Sequence, residues 1–75
     1  MGKLVLISGK KVIQKLKKVG FIETHQRGSH VYLKSEDGTK IVTVPVHGSK
    51  EIPIGTLYNI AIRQAGLSVE EFNDL

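Results

Sequence analysis

Cysteine and tryptophan are absent from this 75-residue sequence, and it contains only two Phe and two Tyr. Without cysteine there is no disulfide framework, no thiolate zinc site and no cysteine nucleophile. The longest apolar run, Leu4 to Ile7, is far too short for a membrane span or a signal-peptide core. A chain of this length has room for one modest core. We therefore predict one domain over residues 1–75, located in the cytoplasm and not in a membrane.

Acidic side chains are scarce in the first half of the chain. Residues 1–34 hold eight Lys or Arg against Glu23 alone, a net charge of +7. Residues 35–75 hold three basic and six acidic side chains, a net charge of −3, which gives +4 for the whole chain. Such a division favours a polyanion or an acidic protein as partner, and nucleic acid is the commonest one for a small basic domain. The alternative is a charged helix face that serves only solubility.

A first amphipathic helix is predicted near the start of the chain. Ser8 is a favoured N-cap residue, and Gly20 supplies a C-terminal stop. Between them, apolar residues recur at helical spacing: Val12, Ile13, Leu16 and Val19. Lys11, Lys15 and Lys18 follow i, i+4 and i+7, so we expect a basic ridge on the opposite side of the helix. These like charges repel one another, and a phosphate backbone along the ridge would relieve the repulsion.

Three segments of strand character follow, at residues 21–26, 30–35 and 39–46. The Asp37-Gly38 pair before the third segment is a strong hairpin signal, and the pattern predicts an antiparallel meander. In the second strand Val31 and Leu33 share the face that we expect the helices to cover. That alternation leaves His30 on the opposite, wetter face.

A second helix is predicted to begin at Pro53 and to end at Gly66. Its predicted buried stripe consists of Ile54, Leu57, Tyr58, Ala61 and Ala65. A last helical turn, capped by Ser68, carries Val69 and Phe72. The predicted class is α+β: a two-layer sandwich of helix, three-stranded antiparallel sheet and helix, with the general shape of the double-stranded-RNA-binding domain.

The most informative stretch for function is Arg27-Gly28-Ser29-His30. It places a guanidinium, free backbone N–H groups, a hydroxyl and an imidazole at the entrance of a strand, and each of these can contact a phosphate. A histidine that titrates near neutral pH can also remove or donate a proton. RNA supplies its own nucleophile, the 2′-hydroxyl, so cleavage requires no metal. The alternative is a Gly-Ser turn followed by an incidental histidine.

The other histidines do not indicate a metal site. The spacing from His25 to His30 matches no ligand motif, and no Asp or Glu lies within two residues of His47. We therefore predict no metal and no cofactor. His47 is interpreted as a second RNA contact near the sheet edge or as a surface residue.

Several segments together resemble the HicA toxin family. They are SGKKVI at 8–13, KVGF at 18–21, QRGSH at 26–30, VPVH at 44–47, GTL at 55–57, QAGL at 64–67 and EF at 71–72. The resemblance spans nearly the whole chain and comes from the order and separation of the pieces. It implies an mRNA interferase of a toxin–antitoxin system, a small ribonuclease with a double-stranded-RNA-binding-like fold that stops translation and is held inactive by a HicB antitoxin. In that family the histidine after Gly-Ser is catalytic, which corresponds to His30 here.

From these observations we expect metal-independent cleavage of mRNA with His30 as general acid or base. Arg27 and Lys34 would stabilise charge on the phosphate, with Gly28 and Ser29 beside them. The three lysines of the ridge would bind the RNA backbone without reading sequence. Two alternatives stay open: a non-catalytic RNA-binding module, and a basic face that mainly docks an acidic antitoxin.

Overall fold

In the computed structural model, which describes residues 2–75, the first element is helix α1 (Gly9–Lys18). Its N-terminus is capped as predicted, because the Ser8 hydroxyl accepts a hydrogen bond from the Lys11 N–H at 3.4 Å. The predicted apolar stripe is buried at Val12, Ile13 and Leu16. Val19 is an exception: it is the C-cap residue and is 40% exposed, since the helix ends one residue before it.

The sheet is the predicted antiparallel meander. Strands β1 (Ile22–Arg27), β2 (His30–Lys34) and β3 (Ile41–Pro45) lie in the order β1-β2-β3. The side chains that alternate toward the helices are all buried: Val31, Leu33, Val42 and Val44. The opposite face of β2 carries His30 and Lys34, both exposed. The sheet therefore has one core face and one face open to solvent.

Strand β1 has no buried side chain, although it pairs with β2 along its whole length. Its register shifts between Glu23 and His25, which marks a β-bulge at this edge of the sheet. The buried residue here is Phe21, which precedes the strand. Pairing with β2 and the anchor at Phe21 therefore hold β1 in place.

The second helix begins after Pro53 as α2 (Ile54–Tyr58) and continues as a π-helical segment (Asn59–Gln64). The predicted stripe is wrong at Ile54 and Tyr58, which are 53% and 46% exposed. Bonding between residues i and i+5 widens the turn, so the buried positions differ from those of an α-helix with 3.6 residues per turn. The core-facing residues are Leu57, Ile60, Ala61 and Ala65.

Helix α3 (Val69–Asp74) ties the two ends of the described chain together. Ser68 and Glu71 form a capping box at its start, and Phe72 is fully buried in the core. The Asn73 side chain accepts a hydrogen bond from the Val5 N–H at 3.1 Å and donates one to the Lys3 carbonyl at 2.8 Å. The α+β class and the predicted element order are confirmed. Within residues 2–75 no helix is long and apolar enough to cross a membrane.

Candidate functional site

The Arg27–His30 segment forms a tight turn between two paired strands. Arg27 ends β1, His30 begins β2, and the two residues are partners in the ladder. The two-residue connection has Gly28 at φ +58°, the left-handed conformation that the first central position of a type II′ turn requires. The Gln26 amide donates a hydrogen bond to the Gly28 carbonyl at 3.0 Å and braces the turn.

The backbone of this turn is open to a ligand. No atom lies within 4 Å of the position that a Cβ would take at Gly28. The Ser29 carbonyl accepts a hydrogen bond from the Val46 N–H at 2.7 Å. Within the described part of the chain, the N–H groups of Gly28 and Ser29 donate no hydrogen bond to other residues. Both N–H groups are therefore available to a phosphate oxygen, as an anion-binding turn requires.

A second Gly-Ser turn lies at the same end of the sheet. His47, Gly48, Ser49 and Lys50 form a turn closed by a hydrogen bond of 3.1 Å from the Lys50 N–H to the His47 carbonyl. Gly48 has φ +60°, close to the value at Gly28. Because the Val46 N–H bonds to the first turn, the two turns are neighbours. The sequence predicted His47 as a contact but missed the remainder of this turn, whose signal is the repeated Gly-Ser pair.

Helix α1 begins beside these turns. A Cβ at Gly9 would lie against the Pro45 carbonyl oxygen, so the helix start directly contacts the end of β3. Ser8 forms an isolated antiparallel β-bridge with Glu51, which follows the second turn. The positive end of the helix dipole, about half an elementary charge, therefore lies at the same end of the molecule as both turns. Lys10 in the first turn of α1 and Lys50 add exposed cations there, and sequence reasoning had not assigned either to the site.

His30 is exposed on the open face of the sheet at this end. It pairs with Arg27 on one side and with Pro45 on the other. An accessible imidazole next to a guanidinium and two free N–H groups can bind a phosphodiester and move a proton on or off an adjacent oxygen. The structure thus brings together five of the predicted residues: Arg27, Gly28, Ser29, His30 and His47.

Lys15 is not part of a free basic ridge. Its ammonium donates hydrogen bonds to the main-chain oxygens of Phe72, Asn73 and Leu75 at 3.0, 3.2 and 3.0 Å. It also lies 5.3 Å from the centroid of the Phe72 ring. Lys11 is exposed on the same helix. The ammonium of Lys15 is therefore engaged within the fold, at the C-terminal end of α3.

Two more predicted contacts lie away from the turns. Lys34 is exposed at the other end of β2, four residues from His30, which is a backbone separation of about 13 Å at ~3.3 Å per residue. Lys18, at the other end of α1 from Gly9, is exposed. The two carboxyls with lowered pKa values are also not among the residues of the two turns. Asp37 has its pKa lowered to about 2 by hydrogen bonds from Thr39 and Ser35, and hydrogen bonds with Ser68 lower the pKa of Glu71.

The third histidine has partners of its own. The His25 ring stacks on Tyr32 with centroids 4.4 Å apart and planes 6° apart. Its Nδ1 lies 3.1 Å from the Thr24 hydroxyl. Among residues 2–75 no group of three His, Cys, Asp or Glu side chains is placed to hold a metal ion.

Comparison with protein families finds a match over most of the chain. The model described as HicA toxin of bacterial toxin–antitoxin matches residues 9–67, which are 59 of the 75 residues. The matched region contains both Gly-Ser turns, the whole sheet and α1. No curated protein matches the sequence. The match leaves out α3 and the first eight residues, which are the segments that Asn73 ties together.

Proposed function

Because this chain belongs to the HicA toxin family of bacterial toxin–antitoxin systems, we propose that it is an mRNA interferase, an endoribonuclease that cuts mRNA and thereby inhibits translation. A HicB-type antitoxin protein would hold it inactive, and both would act in the cytoplasm. The observation that carries the proposal is the convergence of Arg27, the free N–H groups of the Gly-Ser turn and the exposed His30 at one end of the sheet.

The chemistry requires little beyond these groups. The RNA 2′-hydroxyl attacks the adjacent phosphorus, so the protein needs only to position the phosphate, stabilise its charge and move protons. In this proposal Arg27 and the N–H groups of Gly28 and Ser29 bind the phosphate oxygens. His30 acts as general base or acid, and no metal takes part.

The remaining cations would hold neighbouring phosphates. Lys11 and Lys18 are exposed on α1, and Lys34 is exposed on the open face of the sheet. Each would add a contact to the backbone that is independent of sequence and sensitive to salt. His47 would contact the RNA beside the first turn. Lys15 is omitted from this set, because its ammonium already donates to three main-chain oxygens.

Cleavage of a long mRNA in excess EDTA tests the proposal. The wild-type protein should produce new RNA ends, and His30→Ala should lose about 10²- to 10⁴-fold in rate, the usual contribution of a general acid or base. His25→Ala is the matched control, since His25 lies on the neighbouring strand and stacks on Tyr32; it should cleave like the wild type. A folded His30→Ala protein that cleaves at the wild-type rate would refute the assignment of His30.

A second candidate function is RNA binding without cleavage. The exposed cations Lys11, Lys18 and Lys34 favour it, because they do not depend on His30. It predicts RNA that is retained on a filter at low salt, released at high salt, and never cut. Docking of an acidic antitoxin on the same cations is distinguished by titration with the partner protein, since RNA would then compete for the surface.

A further inference from the structure

A single histidine leaves the proposed reaction one proton-transfer group short. The 2′-oxygen must lose a proton and the departing 5′-oxygen must gain one. The attacking and leaving oxygens lie roughly in line through the phosphorus, as in phosphoryl transfer generally. A group on one side of the phosphorus is therefore poorly placed to serve the other side. A second titratable side chain on the same face of the sheet, a few ångströms beyond His30, would complete the site.

The pairing of β2 with β3 places such a side chain. His30 is the partner of Pro45, the last residue of β3, and the hydrogen bond of 2.7 Å from the Val46 N–H to the Ser29 carbonyl continues the pairing one residue beyond the strand. His47 is the following residue, so it is the diagonal neighbour of His30, two positions beyond the direct partner. Diagonal neighbours in antiparallel pairs lie about 7–8 Å apart. This is the spacing of the Cα atoms, and side chains that extend from it can approach one phosphate from two sides.

The alternation of side chains predicts the face of the sheet on which His47 lies. Val31 and Val44 are partners and both are buried, so their side chains point to the core. Val46 is partly buried and packs against the same core. The same alternation, continued through Val46, predicts that His47 lies on the open face with Pro45 and His30. His30 and His47 are both exposed.

The backbone of His47 is held from both sides. The hydrogen bond from the Val46 N–H fixes the residue that precedes His47. The Lys50 N–H donates a hydrogen bond of 3.1 Å to the His47 carbonyl. The β-bridge between Ser8 and Glu51 anchors the end of the turn to the start of α1. The position of the His47 backbone relative to the sheet is therefore fixed, as the positioning of a proton-transfer group requires.

From this juxtaposition we infer that His47 is the second proton-transfer group, so that His30 and His47 form an acid–base pair; the inference rests on the proposed function. One imidazole removes the proton of the 2′-hydroxyl as the bond between the 2′-oxygen and phosphorus forms. The other donates its proton to the 5′-oxygen as the bond between phosphorus and that oxygen breaks. The products are a 2′,3′-cyclic phosphate and a 5′-hydroxyl, and water restores the two protonation states.

Two RNA substrates test the pair. One is an ordinary RNA oligonucleotide cut by the wild type at one mapped bond, and the other carries a bridging sulfur in place of the 5′-oxygen at that bond. A thiolate leaves without being protonated. A variant that lacks the general acid should therefore still cleave the sulfur-containing RNA, whereas a variant that lacks the general base should not. His30→Ala, His47→Ala and His47→Gln are compared with the control His25→Ala by kcat and KM on both substrates, after circular dichroism has shown that each is folded.

We expect His30→Ala and His47→Ala each to lower kcat on ordinary RNA by about 10²- to 10⁴-fold, with His47→Gln equally impaired because an amide does not titrate. On the sulfur-containing RNA, one of the two alanine variants, and not the other, should have a kcat within about tenfold of the wild-type kcat. This follows because only the general acid becomes dispensable on that substrate. That variant identifies the acid.

Three results would overturn the inference without touching the proposed function. The first is His47→Ala with the wild-type kcat and a raised KM, which is the behaviour of a simple RNA contact. The second is His47→Gln with full activity. The third is an equal response of both alanine variants to the sulfur substitution. By contrast, wild-type cleavage that does not depend on His30 would overturn the proposed function itself, and this inference with it.

Discussion

Replacing Lys15 with Met should destabilise the fold and leave RNA binding unchanged. The substitution keeps the length of the aliphatic stem and removes the ammonium, which donates to three main-chain oxygens at 3.0–3.2 Å. These oxygens belong to the last turn of α3 and to the residue after it. Without the ammonium they are left to water or to no partner, and α3 loses the cation at its C-terminal end.

The expected loss is about 2 kcal/mol in the free energy of unfolding. A hydrogen bond to a charged group contributes about 1.5–3 kcal/mol, but here one half-buried ammonium is shared among three acceptors. A cation at a helix C-terminus adds about 0.3–1 kcal/mol, and the contact with the Phe72 ring at 5.3 Å adds about 0.5–1 kcal/mol. For a domain of this size, 2 kcal/mol lowers Tm by about 8–16 °C.

Urea denaturation measures this effect against a matched control. With an m-value of about 1 kcal/mol/M, the midpoint for Lys15→Met should fall by about 2 M, whereas Lys11→Met on the same helix should stay within about 0.5 kcal/mol. RNA binding should show the reverse. Lys11→Met should reduce the salt slope by about one and Lys15→Met should not. Equal stability of the two variants, or a reduced slope for Lys15→Met, would refute the reasoning.

Three further predictions concern the stability of the fold. Gly9→Ala should lower the unfolding free energy by about 1–3 kcal/mol and slow RNA cleavage, because the new Cβ would push α1 away from the Pro45 carbonyl. Gly55→Ala is the control, because the space around Gly55 is open. In thermal melts it should be neutral or stabilising by up to about 1 kcal/mol. Because the pKa of Asp37 is lowered to about 2, its stabilising contribution is complete above its ordinary pKa and is lost as pH falls through about 2. Asp37→Asn should therefore lower Tm at pH 7, and this deficit should shrink as pH falls toward 2. An equal deficit at both pH values would contradict this. Ile60→Ala should cost about 2–5 kcal/mol and Ile54→Ala less than about 1 kcal/mol by urea denaturation, an order that a regular α-helix facing the core with Ile54 would reverse.

Local patterns predicted most of the fold. The Ser8 cap, the Asp37-Gly38 turn and the alternation of Val31 and Leu33 are signals within a few residues, and each element they predict is present. The error in the second helix arises from backbone bonding that the apolar pattern does not encode. The stripe of the second helix fails at Ile54 because the following residues adopt π-helical bonding, which no 3.6-residue pattern anticipates.

The candidate site was predictable in its chemistry and not in its geometry. Arg27 to His30 form a local turn, so their proximity follows from the sequence alone. The approach of His47 depends on the register between β2 and β3, which pairs His30 with Pro45, 15 positions later. Lys15 shows the same limit in reverse. Its spacing on α1 suggests a surface ridge. In the structure its ammonium instead donates hydrogen bonds to the main-chain oxygens of Phe72 and Leu75, which lie 57 and 60 positions later in the sequence.

The bonds from Asn73 to Lys3 and Val5 have a consequence for synthesis. The bonds join residues that are 68 and 70 positions apart in the sequence, and the buried Phe72 directly precedes Asn73. A ribosome delivers the chain from its N-terminal end, so the sheet and α1 emerge before the segment that closes over them. The core therefore cannot be completed until residues 72–75 have left the ribosome. A nascent toxin whose sheet and turns have already emerged would still lack α3, so its core stays incomplete until that helix has emerged as well.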